Sequence, residues 1–120
     1  MNRWVLLEHK VFVSNLVDLH YDFLIEDKLV CTTWKFYEIP LLNKGFVKVI
    51  KQPDHRLVWL SRTEHKLSNN RGLVKRIDNG TFLKISCKSD FQELRIVLNG
   101  KLLNGLLEIE GNFCQLTKNN

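Results

Sequence analysis

Positions 21–34 contain the stretch Tyr21-Asp22-Phe23-Leu24-Ile25-Glu26-Asp27-Lys28-Leu29-Val30-Cys31-Thr32-Thr33-Trp34. Two runs rich in aromatic and β-branched side chains flank a polar pair, Asp27-Lys28, which is the composition of two strands joined by a turn. The stretch therefore predicts a β-hairpin. Most of the remaining chain also divides into short strand-like runs separated by turn residues, a pattern typical of an all-β sandwich or barrel.

Further strands are predicted on both sides of this hairpin. Residues 3–9 form an apolar, extended run before it. After it, residues 72–77 and 81–87 flank Asp78-Asn79-Gly80 and predict a second hairpin, because Asn-Gly favours the positive φ angles of a tight turn. In the second arm we expect a buried face formed by Leu83, Ile85 and Cys87, alternating with Phe82, Lys84 and Ser86.

The C-terminal part of the chain predicts one more hairpin and a closing strand. Residues 94–98 and 101–110 surround Asn99-Gly100, with Leu107 and Ile109 expected inward, and residues 113–116 could close the sheet. Closure would remove the exposed edges of the sheet. Two stretches, 10–19 and 40–45, are less regular, and the first could contain a helical turn capped by Ser14 or Asn15.

Composition is that of one ordinary globular domain. The 120 residues are 44% hydrophobic and 26% charged, which allows one modest core. Apolar runs are far shorter than the roughly 20 residues that cross a bilayer, and the N-terminal one ends at Glu8, unlike a signal peptide. Cys31, Cys87 and Cys114 are too widely spaced for a disulfide framework or a thiolate zinc site, so we expect core cysteines in a reducing cytoplasm.

A first candidate site consists of His20, Asp22 and His9. Because side chains alternate along a strand, His20 and Asp22 share one face, and His9 from the preceding strand can converge on them. Two imidazoles and a carboxylate suit borderline or hard first-row metals. The spacing also fits a plain hydrogen bond between His20 and Asp22 on a solvated face, with His9 a polar residue at a strand end.

A second candidate site lies in Pro53-Asp54-His55-Arg56-Leu57-Val58-Trp59. If this segment is extended, His55, Leu57 and Trp59 share a face, and the imidazole could serve as a phosphate binder or proton donor. The alternative is a turn at Pro53-Asp54 followed by a strand in which Trp59 belongs to the core.

The net charge of +5 favours a polyanionic partner, since lysine and arginine displace counterions from phosphates. Arginine suits phosphate because its planar fork donates two hydrogen bonds at once. The alternative is a solvated face. His65, beside Glu64 in a polar stretch, is most simply a loop histidine. The basic candidates are Lys35, Arg56, Arg62, Lys66, Arg71, Lys75 and Arg76.

Taken together and in order, these residues resemble the 3'-phosphoesterase domain of bacterial DNA ligase D, and more closely the small stand-alone proteins of that family. The similarity covers nearly the whole chain. It rests on Leu7-Glu8-His9, His20-Tyr21-Asp22-Phe23 with Glu26, Thr33-Trp34, Asp54-His55-Arg56-Leu57 with Trp59, Asn70-Arg71-Gly72 running to Asp78-Asn79-Gly80-Thr81, and Leu98-Asn99-Gly100-Lys101-Leu102 with Gly105.

The resemblance implies a compact, closed or nearly closed β-barrel over residues 1–120, with an active-site crater that binds a divalent metal, usually manganese. Members of the family remove a 3'-terminal ribonucleoside and then a 3'-phosphate, leaving a 3'-hydroxyl. By position, His9, His20 and Asp22 would be the metal ligands and His55 would contact the scissile phosphate. Trp59 occupies the place of a tyrosine that helps in that site.

Three departures from the family pattern bear on activity. Leu24 stands where the ligase D domains have an arginine that contacts phosphate, and Lys35, Arg56, Arg71 or Arg76 could substitute for it. Trp59 lacks a phenol hydroxyl. The segment between His9 and His20 is longer than in ligase D.

The resemblance implies the 3' end of DNA, with or without a terminal ribonucleotide, as substrate, and a DNA ligase acting in trans as a partner. The principal alternative is a catalytically inactive barrel that binds nucleic acid or a repair partner, which Leu24 and Trp59 favour. A structural or small-ligand barrel is the third hypothesis.

Overall fold

The structure is a computed structural model that describes residues 2–67 and 71–119. Those residues form nine strands and one short 3-10 helix. The strands are β1 (Arg3–Val13), β2 (Leu16–Asp27), β3 (Val30–Phe36), β4 (Val47–Arg56), β5 (Glu64–Lys66), β6 (Leu73–Lys88), β7 (Glu93–Asn99), β8 (Asn104–Glu110) and β9 (Phe113–Thr117), and the 3-10 helix is Leu57–Leu60. No helix in the described ranges is long and apolar enough to cross a membrane.

Eight of these strands form a hydrogen-bonded ring. Their order is β1-β2-β3-β4-β9-β8-β7-β6, every pairing between neighbours is antiparallel, and β6 returns to β1 to close the circle. The short β5 lies outside the ring and pairs with the start of β6. The ring is uneven, because β4 meets β9 at only two residue pairs, Val47 with Cys114 and Lys48 with Phe113. The all-β, nearly closed barrel expected from the sequence is confirmed.

Several predicted elements are confirmed with small shifts. The hairpin over residues 21–34 exists as β2 and β3, and its turn lies at Lys28-Leu29, where Lys28 adopts a positive φ of 59°. The hairpin at Asn99-Gly100 exists as β7 and β8, with Leu107 and Ile109 buried. Strand β9 pairs with both β8 and β4 and so closes the sheet.

The predicted hairpin at Asp78-Asn79-Gly80 is wrong. These residues lie inside β6, one continuous strand of 16 residues, and Gly80 pairs with Trp4 of β1. The glycine is required for space: a Cβ atom at Gly80 would lie 2.0 Å from the carbonyl oxygen of Asn99. Gly80 allows two strands to approach each other closely. In a sequence, a glycine of this kind cannot be distinguished from a glycine in a turn.

The predicted alternation after this point is also wrong. Phe82 is buried, whereas Leu83 and Ile85 are 62% and 50% exposed. A register shift between Lys84 and Ser86 interrupts the alternation, and beyond it Cys87 packs against the core. A bulge of this kind changes which face a side chain occupies.

The helical turn expected in residues 10–19 is absent from the described chain. Strand β1 runs to Val13, Ser14 turns the chain with a φ of 54°, and β2 begins at Leu16. The tip of this β1–β2 hairpin projects with exposed apolar side chains, including Phe12 and Leu16.

The ring is filled by aromatic and aliphatic side chains. Phe23 lies at the centre of the aromatic group: its ring stacks on Phe36 with centroids 5.1 Å apart, and Trp4 and Trp34 pack within 5.9 and 6.1 Å. All four are essentially inaccessible. Aromatic burial of this kind supplies much of the stability of a small core.

A second apolar cluster lies on the outer face of β1, β2 and β6. It consists of Val5, Leu7, Leu24, Cys31, Leu60 and Val74, with Leu57, Trp59 and Leu67 packed against it. The chain from the 3-10 helix to β5 therefore covers this part of the ring. Cys31 and Cys114 are buried free thiols, as expected, and burial raises the pKa of Cys31 to about 11 and that of Cys114 to about 12.

Asp78 organises the loop between β7 and β8. Its side chain is 5% exposed and accepts hydrogen bonds from the backbone N–H groups of Asn79, Lys101, Leu102 and Leu103 at 2.8 to 3.1 Å. A carboxylate is an efficient acceptor for several N–H groups at once. Asp78 thus fixes the loop against β6.

We expect Asp78→Ala to reduce the free energy of unfolding by about 3 kcal/mol, because it leaves backbone N–H groups without an acceptor at a buried site. Urea denaturation followed by circular dichroism measures the change. Glu110→Ala, at an exposed carboxylate at the end of β8, is the matched control. Equal stability of the two variants would contradict this role of Asp78.

Candidate metal centre

Strand register brings His9, His20 and Asp22 to one place. In the β1–β2 pair, His9 is directly opposite His20 and Leu7 is directly opposite Asp22. Side chains opposite each other across antiparallel strands point to the same face, and residues two apart on one strand also share it. On β1 and β2 the inward face is taken by Trp4, Leu6 and Phe23. The three polar side chains are therefore on the outer face of the ring.

The three side chains converge closely. His9 Nδ1 lies 3.1 Å from His20 Nε2, and the Asp22 carboxylate oxygens lie 3.5 Å from His9 Nδ1 and 3.3 Å from His20 Nε2. One ligand atom from each residue can be chosen so that all lie within 4.8 Å of one another. Neighbouring ligand atoms that are each about 2.1 Å from one ion lie about 3 to 3.5 Å apart, which matches the separations of 3.1 to 3.5 Å among these nitrogen and oxygen atoms. The group could hold a divalent metal ion.

Hydrogen bonding sets the protonation of His9. Its Nε2 lies 2.8 Å from the backbone carbonyl of Arg71, which can only accept, so Nε2 carries the proton. In the neutral ring, Nδ1 then presents its lone pair to His20 and Asp22. In metal sites, the ring N–H of a histidine ligand that does not face the metal usually donates to a carbonyl or carboxylate in this way. His20 has no such second partner. Its Nδ1 is buried and forms no hydrogen bond within residues 2–67 and 71–119.

Charge interactions within the group are strong. Burial acts to raise the pKa of Asp22, but hydrogen bonds with His20 and His9 outweigh it and lower the pKa to about 2. The hydrogen bond with Asp22 raises the pKa of His9 above its usual 6.5, against the opposing effect of burial. Asp22 is therefore ionised near neutral pH, and the group attracts a positive charge, either a proton or a cation.

A small pocket of about 50 Å³ opens beside this group. His55 and Trp59 line it together with His9 and Asp22, and apolar side chains complete the wall: Leu7, Leu67 and Val74. His55 Nδ1 donates to the carbonyl of Pro53 at 3.1 Å, which leaves Nε2 for other partners. The structure thus places both residues of the second candidate site next to the first.

The segment that carries His55 and Trp59 is not extended throughout, so the shared strand face expected for them is wrong. Strand β4 ends at Arg56 and the 3-10 helix begins at Leu57. The helix returns the chain over the outer face, and this return brings Trp59 to the pocket.

Trp59 makes further contacts with Arg62 and with His65 of β5. The guanidinium carbon of Arg62 lies 4.9 Å from the centre of the indole, and the ring of His65 meets the indole edge-on at 5.5 Å. His65 belongs to strand β5 and not to a loop. Its Nδ1 lies 2.7 Å from Arg62 Nη1.

The basic candidates are distributed unevenly around the group. Lys35 of β3 is opposite Asp22, and Arg76 of β6 is opposite Leu7, so these two lie on either side of the β1–β2 pair on the outer face. Arg71 is adjacent through its backbone carbonyl. Arg56 is next to His55 on the same strand and exposed, and alternation directs it away from the face that His55 occupies. The structure therefore does not bring Arg56 to the pocket.

Two differences from the sequence analysis concern apolar and aromatic residues. Leu24, which stands where the ligase D domains have arginine, is fully buried in the second apolar cluster. Tyr37, which the sequence pattern does not mark as a site residue, directly follows β3, and its ring centre lies 5.0 Å from Lys35 Nζ. Asn70, part of the resemblance, lies outside the described residues.

Comparison with models of protein families finds no match for the chain, and comparison with curated proteins finds none either.

We expect the protein to bind Mn²⁺ at this group, and Asp22→Ala to weaken binding by at least about tenfold, because the substitution removes the one anionic ligand. Isothermal titration calorimetry measures both affinities, and circular dichroism checks that the variant folds. Glu110→Ala, a carboxylate change on β8, is the control. Unchanged affinity in folded Asp22→Ala would show that the ion binds elsewhere.

We also expect Mn²⁺ affinity to decrease as the pH is lowered, by about tenfold per pH unit for one competing proton. The hydrogen bond with Asp22 raises the pKa of His9, so a proton competes with the metal for Nδ1 more strongly than in an ordinary histidine. Asp22, with a pKa of about 2, stays ionised throughout. Titrations between mildly alkaline and mildly acidic pH measure the slope, and an affinity independent of pH would contradict it.

Proposed function

We propose that this chain is a divalent-metal-dependent phosphoesterase that processes the 3' ends of nucleic acid strands. The convergence of His9, His20 and Asp22 on the outer face of the ring is the observation that carries the proposal. The sequence similarity to the 3'-phosphoesterase domain of DNA ligase D supplies the substrate class and the preference for manganese. Removal of a 3'-terminal ribonucleoside would leave a 3'-phosphate. Hydrolysis of that phosphate by water would then release inorganic phosphate and leave the 3'-hydroxyl that a DNA ligase needs, acting in trans.

His9, His20 and Asp22 would hold the metal, which would supply a Lewis acid for a phosphate oxygen. His55 lines the same pocket as two of these residues. Because its Nδ1 is engaged by the Pro53 carbonyl, His55 would contact the phosphate through Nε2. The role assigned to His55 is therefore hydrogen-bond or proton donation to the phosphate or its leaving oxygen.

The remaining polar residues of the site position the substrate in this proposal. Lys35 and Arg76 lie on either side of the β1–β2 pair and would attract the phosphate groups electrostatically. Trp59, on the wall of the pocket, offers an aromatic surface and an indole N–H in place of a phenol. The backbone carbonyl of Arg71 accepts a hydrogen bond from His9 Nε2. Arg71 would therefore lie beside the bound substrate.

One observation favours the alternative, a barrel that binds nucleic acid without turnover. Leu24 is fully buried in the second apolar cluster together with Leu60 of the 3-10 helix, so this position offers a phosphate no polar contact. Trp59 is packed between Arg62 and the pocket. A protein with these features could retain the metal-binding group and bind strands while lacking full stabilisation of the transition state.

The decisive experiment incubates the protein with Mn²⁺ and two oligonucleotides, one ending in a 3'-phosphate and one in a single 3'-terminal ribonucleotide. We expect conversion to a 3'-hydroxyl, resolved by denaturing gel electrophoresis and mass spectrometry. His20→Ala and Asp22→Ala should lose Mn²⁺ binding and at least about a hundredfold in rate. His55→Ala should retain Mn²⁺ affinity and lose about 10²- to 10⁴-fold in rate, as expected for a proton or hydrogen-bond donor.

Glu110→Gln, on β8, controls for a generic effect of removing a carboxylate. Metal-independent binding of the strands with no product from either substrate would favour the non-catalytic alternative. Activity that survives in both His20→Ala and Asp22→Ala would overturn the assignment of the metal ligands.

A further inference from the structure

Tyr37 holds two ammonium groups against one aromatic ring. Lys35 Nζ and Lys48 Nζ each lie 5.0 Å from the centre of the Tyr37 ring, a distance at which a cation is attracted by the ring electrons. The backbone supports the arrangement, because the N–H of Tyr37 donates to the carbonyl of Lys48 at 3.1 Å. We name these three residues the Lys35–Tyr37–Lys48 clamp.

The clamp begins on β3, the strand next to the candidate metal centre, and extends to Lys48 on β4. In the β2–β3 pair, Asp22 is opposite Lys35 and Tyr21 is opposite Phe36. Tyr37 directly follows Phe36, the last residue of β3, and its backbone bonds to Lys48 of β4. In the next pair Phe36 is opposite Val49, and both are buried in the ring, so Tyr37 and Lys48 point outward. The metal ligands and the clamp are thus neighbours across the strands.

The charges of the clamp have no carboxylate partner among the described residues. Throughout residues 2–67 and 71–119, neither Lys35 nor Lys48 forms an ion pair with a carboxylate, whereas Lys51 pairs with Asp54 and Arg95 with Glu108. Two like charges near one ring repel each other, and the ring offsets part of that cost. The side chains are held in place before any ligand arrives, which lowers the entropy lost on binding an anion.

We propose that the clamp binds backbone phosphates of the nucleic acid strand whose 3' end lies at His9, His20 and Asp22. This inference rests on the proposed function, since it uses the metal centre to place the reacting phosphate. The phosphates at the clamp are those on the 5' side of the reacting end, because only that side of the strand continues. Lysine ammonium groups act as point charges, so the contact is independent of base sequence.

The test compares two ligands of different length. Lys48→Gln and Lys35→Gln should each weaken the binding of a fluorescent single-stranded oligonucleotide by about fivefold at 0.1 M salt and reduce the slope of log K against log salt by about 0.7. Tyr37→Leu should weaken binding with a smaller change in slope, because both charges remain. Lys48→Gln should bind a 3'-nucleoside monophosphate as the wild type does, since that ligand does not reach the clamp.

Lys84→Gln, at an exposed lysine on β6, is the matched control and should bind like the wild type. Anisotropy titrations are made without metal and repeated in Asp22→Ala, so they report strand binding even if the protein proves inactive. Oligonucleotide affinity unchanged in both lysine variants would overturn the clamp, while 3'-phosphate removal by the wild type would still support the proposed function. Equal competition by polyglutamate of matched charge would also overturn it, since the surface would then fit an acidic protein.

Discussion

Strand β1 is hydrogen-bonded along both of its edges, to β2 and to β6, and this double pairing closes the ring. The same strand divides its side chains between two environments. Trp4 and Leu6 point into the aromatic core, while Leu7 and His9 point to the outer face. Because the side-chain period of a strand is two, a slip of one residue would exchange the two sets. Burial of the core therefore determines the register that assembles the candidate metal centre.

The candidate metal centre lies on two paired strands and contains one ionised carboxylate, Asp22. Two paired strands hold His9, His20 and Asp22, and the 3-10 helix covers the apolar surface beside them. The Arg71 carbonyl fixes the ring of His9, so its lone pair faces the group. A site on paired strands keeps its geometry better than one on loops. Lys35 and Arg76 lie on the same face, on either side of the β1–β2 pair, and under the proposed function they would hold a polyanion beside the metal centre.

Part of this arrangement follows from local sequence alone. Alternation in His20-Tyr21-Asp22 places the imidazole beside the carboxylate, and the hairpin over residues 21–34 follows from its β-branched composition. The role of Gly80 does not follow from local sequence. Its missing side chain leaves room for the backbone of Asn99, a residue distant in sequence. The bulge near Ile85 and the 3-10 helix at Leu57 are set by how strands meet in three dimensions. The contact between Tyr37 and Lys48 depends on β4, a separate strand that brings Lys48 to the ring.

The short junction between β4 and β9 has a consequence for motion. Two residue pairs and a backbone hydrogen bond from Val49 to Asn112 hold this junction, whereas β1 and β2 pair along ten residues. Local opening requires less free energy where fewer hydrogen bonds are broken, so amide hydrogen exchange should be faster at this junction than along the β1–β2 pair. The junction lies two strands from the candidate metal centre. Local opening at the β4–β9 junction can therefore leave the positions of His9, His20 and Asp22 unchanged.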